Sequence, residues 1–285
     1  MKIKINGADA DIQLEAEKTV GEVLCALDAW LDRTEHRLSS VCINNETIGA
    51  GSLEACFARD VCTVDTLDLQ TSSIRQLLAE SLENLLEDID AYENAGFDDK
   101  NAIAGYWKET PEALLLAEQS PDIFNRTVKT FSGEGSNPQA LRLLARERLR
   151  ELHDPAGEIG RIGDLVMEIC ARLEDLPLDI QTGKDARAAE TVNTFSNIAE
   201  KVFRIIGILK LEGFPVGEIT VGSMPIAAYI TEFGSALREL LTAYEQHDTV
   251  LVGDLAEYEM APRLRGLHSA VLGVIEGAYN VHSGS

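Results

Sequence analysis

The sequence predicts an α+β chain: a small strand-rich domain at residues 1–70, a larger all-α helical bundle at 71–281 and a flexible tail at 282–285. Three observations carry this. The first seventy positions are rich in alternating apolar runs and the remainder recurs every three or four almost throughout, a switch of hydrophobic period from 2 to about 3.6. A length of 285 residues leaves room for two unequal domains, each with its own core. A hydrophobic fraction of 45% is ordinary for a globular protein, so the acidity of the chain sits on a folded molecule.

Lys2, Ile3, Lys4 and Ile5 alternate up to Asn6-Gly7, and a second alternating run passes through Ile12, Leu14 and Ala16. Asn-Gly tolerates the positive φ angles of a tight turn, so the two runs are expected to pair as an antiparallel hairpin. Thr19-Val20-Gly21-Glu22 has capping-box spacing, in which hydroxyl and carboxylate satisfy the amides that a helix start leaves free. The helix that follows carries Val20, Val23, Leu24, Leu27 and Leu31 on one side and Glu22, Asp28 and Asp32 on the other, and would cover the apolar face of the hairpin. Val41 and Ile43 mark a third strand, Asn44-Asn45 a turn, and Thr63 to Leu69 a final strand with Leu67 and Leu69 pointing one way. Parity changes near Asp65 and Thr66, where a bulge or a late strand start is expected.

This order of hairpin, helix, strand, short connection and strand resembles the ubiquitin-like β-grasp fold over residues 1–70. Members that act as modifiers or sulfur carriers do so through a free C-terminal Gly-Gly, whose carboxylate becomes activated. Here Leu69-Gln70 runs straight into helix, and the last residues are His282-Ser283-Gly284-Ser285. The resemblance therefore implies a docking surface and not conjugation, by analogy of fold. The helical remainder resembles no particular family.

Ile74, Leu78, Leu82, Leu85, Ile89 and Tyr92 step by three and four with Glu80, Glu83, Glu87 and Asp90 between them. That predicts an amphipathic helix, started by a Ser cap within Thr71-Ser72-Ser73. From Gly96 to Pro155, the prolines at 111, 121, 138 and 155 and the loop signature Gly133–Asn137 predict several short helices, with Tyr106, Trp107, Phe124 and Phe131 as core anchors. Ile162, Val166, Ile169 and Leu173 mark a helix ending near Pro177. Ala188, Val192, Phe195, Ala199, Val202, Ile206 and Leu209 then alternate steps of four and three, a heptad-like seam flanked by Ile198 and Ile205. It must pack along another helix, and Gly213 and Pro215 stop it. Ile226 to Tyr244 and Leu264 to Ala278 give the last two long helices, with a kink or break at Pro262. Short connections make successive helices antiparallel neighbours.

A formal charge of −23 repels phosphate backbones and anionic lipid, so neither nucleic acid nor a membrane is an expected partner. Arg142, Arg146, Arg148 and Arg150 are expected on a solvated helix face beside Glu147 and Glu151. The first residues lack the apolar core of a signal peptide, and no apolar run approaches the roughly 20 residues of a bilayer span, which points to the cytoplasm. Five cysteines, Cys25, Cys42, Cys56, Cys62 and Cys170, are expected to be reduced and mostly buried.

Gly183-Lys184 lies within Gln181–Asp185, but Leu178 stands where a phosphate loop needs its first glycine and Asp185 where it needs Ser or Thr. An exposed helix start capped by Thr182 or Asp185 is expected instead, with Thr182 and Lys184 as a candidate anion site. The five histidines include no pair four apart, no Glu-x-x-His occurs, and Cys56 and Cys62 lack knuckle spacing, so no metal and no cofactor is expected. Without a Gly-x-Ser-x-Gly elbow or a cysteine in a basic setting, no catalytic residue is assigned. Asp248, Asp254, Glu257 and Glu259 surround Tyr258 and read either as helix-start acids complementing the dipole or as a patch for a basic partner or a divalent cation. These readings lead to a non-catalytic cytoplasmic adaptor, scaffold or assembly chaperone, binding a basic or helical protein segment or forming a homodimer. The competing expectation is a small-ligand or anion-binding sensor or enzyme, with a pocket between the two domains.

Overall fold

The computed structural model describes residues 1–10, 12, 17–134 and 137–283. The chain is α+β: a small mixed sheet over residues 2–73 is followed by a mostly helical body. It forms two compact units, Met1–Ala145 and Arg146–Ser285.

In the first unit, β1 (Lys2–Ile5) and β2 (Ala8–Asp9) form the expected hairpin. Asn6 and Gly7 take φ of 52° and 78° in its turn, angles that Asn and Gly reach at least cost. The second strand is not the alternating run expected to pair but the two residues directly after Gly7. It ends at Asp9, Ile12 packs half-buried against the sheet's core, and Leu14 and Ala16 lie outside the described residues. The capping box forms: Glu22 N donates to Thr19 Oγ1 at 3.3 Å, and Thr19 N donates to Glu22 Oε2 at 3.2 Å. Helix α1 (Val20–Arg33) then buries Val20, Val23, Leu24, Leu27 and Leu31, none more than 7% exposed.

Strands β3 (His36–Ile43) and β4 (Glu46–Ile48), helix α2 (Ala50–Phe57) and strand β5 (Thr66–Ser73) complete this head. The sheet order is β2-β1-β5-β3-β4, with β1 parallel to β5 and the other pairs antiparallel. Asn44 and Asn45, at φ of 52° and 66°, turn β3 into β4. The parity change near Asp65 is a late strand start, since β5 begins at Thr66; a bulge lies in β3 instead, where the register slips between Leu38 and Ser40.

Ser73 caps α3 (Ile74–Asn94), accepting from Gln76 N at 3.1 Å. After α4 (Phe97–Trp107), every one of the four prolines opens a helix rather than ending one: α5 (Pro111–Gln119), α6 (Pro121–Phe131), α7 (Pro138–His153) and α8 (Pro155–Arg161). A first-turn residue has no intrahelical partner for its N–H, so proline loses nothing there. Trp107 stacks on Phe124 at 5.6 Å and meets Phe131 edge-on at 5.7 Å, and Phe131 stacks on Tyr92 at 4.8 Å. Tyr106 departs from expectation: it is 57% exposed, because one residue along a helix is about 100° around it and Trp107 takes the inward position.

In the second unit, α9 (Gly163–Glu174) and α10 (Leu176–Gln181) lead to α11 (Asp185–Leu211), whose seven seam residues are each at most 4% exposed. A two-stranded ribbon, β6 (Thr220–Val221) and β7 (Met224–Pro225), precedes α12 (Ile226–Glu245). Phe233 of α12 packs against Phe195 at 6.3 Å and Phe203 at 5.2 Å, joining the two helices. The expected break near Pro262 is a π-helical turn, Leu255–Met260, between α13 (Thr249–Asp254) and α14 (Ala261–Ser283). Pro262 brings no N–H to the carbonyl of Tyr258, and the ladder widens beside it. Helix α14 continues through His282 and Ser283, two of the residues expected as a tail. Among the described residues no helix is long and apolar enough to cross a membrane.

Candidate functional site

A groove of about 390 Å³ opens on the head, walled by Leu24, Cys25 and Asp28 of α1, Leu38 to Val41 of β3, Ile48 of β4 and Phe57 of α2. Its geometry follows from three local features. The buried stripe of α1 faces the sheet, which leaves Cys25 and Asp28 exposed at the rim. Phe57, 38% exposed, is seated against α1 by Gly21, where a Cβ would stand 2.9 Å from Phe57 Cβ and 3.0 Å from its carbonyl oxygen. Only glycine permits that approach. The third feature is an edge: β4 pairs with Val41–Ile43 alone, so among the described residues His36–Ser40 have a strand neighbour only on the β5 side.

Sequence reasoning missed this groove, although one signal for it was present. Leu38 and Val41 both pack on the head core, yet they are three residues apart, which strict alternation forbids. An extra residue in the strand reconciles them, and the bulge at Ser39 supplies it.

The predicted site residues lie in the second unit. Thr182 and Lys184 stand at the turn from α10 into α11, and both are engaged. Thr182 Oγ1 donates to Leu178 O at 2.7 Å, and Lys184 Nζ lies 3.3 Å from Oδ1 of Asp179, a carboxylate only 2% exposed that Arg187 Nε also meets at 3.0 Å. Neither Thr182 nor Asp185 caps α11; Thr182 turns back onto α10, and Asp185 is already the first helical residue. Asp248 caps α13, accepting from Leu251 N at 3.1 Å, while Asp254 ends that helix and Glu257 and Glu259 lie in the π turn. Glu259 accepts from Arg263 Nε and Nη2 at 2.8 and 2.6 Å. The fold does bring the two predicted regions to one place: Asp185 and Thr249 line a depression of about 210 Å³ together with Ile180, Ala188, Tyr244, His247 and Val252. Small-molecule pockets run from roughly 300 Å³ upwards, so this one is too small for all but a few atoms. Among the described residues no three His, Cys, Asp or Glu side chains are grouped as a metal set.

In the arginine-rich segment Arg146 and Arg150 are exposed, as a solvated face requires, while Arg148 and Glu151 are buried and depart from that reading. Glu151 is fully buried; Arg204 donates to it through Nε at 2.9 Å and Nη2 at 3.1 Å, and Arg148 through Nη1 at 3.3 Å. Lys201 Nζ lies 2.6 Å from Glu147 and 3.1 Å from Glu158, which is 3% exposed and also bonded by Arg161 Nε at 2.9 Å. Burial, reinforced by Glu147 and Glu158 and opposed by Arg148 and Lys201, pushes the Glu151 carboxyl up to about 7. Burial works against the Glu158 carboxylate too, but the hydrogen bonds and charges of Lys201 and Arg161 outweigh it and hold that group below its usual range. Arg142, in the first unit, is bound by Asp90 at 2.5 Å and by Glu93. Arg142, Arg148, Arg161 and Arg204 are structural cross-links, with their charge met by carboxylates. The cysteines also differ from expectation: all five are free thiols, but only Cys170 is buried, its pKa pushed up to about 11 by burial, while Cys25 and Cys62 are exposed.

Residues 1–73 match the family model described as TP0873 N-terminal domain, and residues 159–270 match a domain of unknown function (DUF8042). An uncharacterized protein of Treponema pallidum (strain Nichols) is 23% identical over 272 residues, which span 95% of this chain and 96% of the relative. The first match ends at Ser73, the residue that closes β5 and caps α3. No solved structure matches the chain.

Proposed function

We propose that the protein is a non-catalytic adaptor, scaffold or assembly chaperone of the cytoplasm, and that it docks a protein partner through a head of the ubiquitin-like β-grasp kind. The strand order β2-β1-β5-β3-β4, with a parallel central β1–β5 pair and α1 packed across it, supports the β-grasp reading. The observation that carries the docking reading is the groove between α1 and β3, which joins an apolar wall to a strand edge. Those are the two elements by which a sheet takes up a peptide. Free thiols at the exposed Cys25 and Cys62 suit a reducing compartment.

Photo-crosslinking tests this. Benzoylphenylalanine placed at position 25 of the full chain, and separately at position 62, is irradiated in extract from the native cytoplasm. A discrete cross-linked protein from position 25 and none from position 62 is the expected result. Equal labelling from both positions, or none from position 25, would remove the groove from the function.

A further inference from the structure

We propose that the groove takes an extended, apolar segment of a partner protein bearing Lys or Arg, added as a strand along the leading half of β3. This rests on the docking reading above and names the chemistry of the partner.

The vacant lane has a structural origin. Strand β4 ends at Ile48 and α2 begins at Ala50, so the chain leaves the sheet after pairing with only three residues of β3. Beside His36–Ser40 no strand among the described residues pairs with β3 on that side, although the Arg37 side chain there is engaged by Glu118 of α5 at 2.9 Å. Proteins blunt such edges with proline, lysine or a covering element, because an open edge templates another strand. Arg37, the charged residue of this half, is tied to Glu118 of α5, and the edge residues nearest the groove, Leu38, Ser39 and Ser40, include no blunting residue. The bulge at Ser39 limits the pairing to a short ladder, so the affinity has to come largely from side chains.

Leu24, Leu38, Ile48 and Phe57 provide the apolar wall that would receive alternate side chains of an incoming strand, whose period is two. A volume of about 390 Å³ is compatible with two or three such side chains and too open for a sealed small-molecule site. Among the described residues Asp28 is the charged one lining the groove, and residues 1–73 hold thirteen Asp and Glu against six Lys and Arg. The net negative charge of the head, with Asp28 at the groove, therefore favours a cationic segment. A second copy of the chain would bring its own −23 to an edge-to-edge contact, where like charges repel. Charge thus separates a basic partner from self-association.

The probe is a library of random ten-residue peptides displayed on phage and selected against the full chain. Enriched sequences should alternate apolar residues with Lys or Arg. As synthetic peptides they should slow alkylation of Cys25 at least about tenfold, leave Cys62 unchanged, and slow amide exchange within Leu38–Ser40, the signature of a new ladder. Asp28→Lys, an exposed helix position, should weaken binding about tenfold with unchanged melting, and Leu38→Lys should abolish it. Peptides that protect Cys25 but show a helical apolar period, or leave the β3 amides unprotected, would overturn strand addition while the docking reading stands. Acidic consensus sequences, or no enrichment, would overturn it as well, with the docking reading still judged by the cross-link at position 25. Protection of Cys25 without peptide, together with a doubled mass in solution, would assign the edge to a second copy and sink the proposal.

Discussion

At the scale of single residues, Lys201 and Glu151 decide whether the ion cluster of the second unit holds. Lys201 faces Glu147, Glu151 and Glu158, and the last two are buried. Lys201→Met leaves those carboxylates short of a cation, and removing one partner from a buried pair costs about 3–5 kcal/mol. A urea midpoint lowered at unchanged m would show it, and an unmoved midpoint would contradict it. Glu151 adds a pH dependence. Below pH 4.5 it is protonated in folded and unfolded chain alike; between 4.5 and about 7 only the folded chain keeps the proton, so the folded state binds more protons and stability falls as pH rises through that window. The whole effect is about 3–4 kcal/mol at most, at about 1.4 kcal/mol per unit. Glu158 has the opposite sign, since a carboxyl held below its usual range contributes above pH 4.5 and loses that contribution as pH falls. Glu151→Gln should therefore flatten the decline between pH 4.5 and 7 and leave the acid limb in place, and urea titrations across that range check it. A decline as steep as in the parent would refute the assignment.

At the scale of elements, Gly21 and Phe195 test the two kinds of packing. Gly21→Ala improves helix propensity by up to about 1 kcal/mol, yet its Cβ would meet Phe57 Cβ at 2.9 Å and the backbone oxygen at 3.0 Å. Overpacking of that kind costs about 1–3 kcal/mol, so a net loss is expected, with Phe57 displaced and Cys25 alkylated faster. Phe195→Asp puts a charge where exposure is 0%, inside the α11 seam, and should abolish cooperative unfolding of the second unit. An unchanged melting curve would deny that the seam is core. These elements also mark what was legible. Helices α3 and α11 repeat their pattern over enough turns for period alone to identify them, and the capping box at Thr19 and the Ser73 cap are local codes. Strand β4 has three residues, too few to show a period, and α2 is only eight residues long. Glu151 looked solvated because spacing sees only its own helix, whereas Lys201 and Arg204, which meet it when buried, arrive from some fifty residues away. The groove was illegible for the same reason: α1, β3 and α2 each supply a wall, and no one segment contains it.

At the scale of the whole molecule, 48 acidic residues stand against 25 basic ones, and this imbalance acts on the fold and on the proposed binding with opposite signs. Within the folded chain the excess negative charge repels itself, and unfolding spreads it out. Salt shortens the reach of that repulsion from about 30 Å at 0.01 M to about 10 Å at 0.1 M, while the buried pairs around Glu151 and Glu158 are screened far less. The melting temperature should therefore rise by about 2–4 °C over that change, the response to roughly 1 kcal/mol in a domain of this size. Attraction between an acidic head and a basic strand is weakened by the same screening, so peptide affinity should fall as stability rises. Thermal melts and peptide titrations run on the same salt series separate the two contributions. A melting temperature that drops with salt would mean that exposed ion pairs such as Lys2–Asp9, at 2.8 Å, contribute more to the fold than the global repulsion removes. A peptide affinity indifferent to salt would mean that the groove reads apolar shape alone, with no part for Asp28.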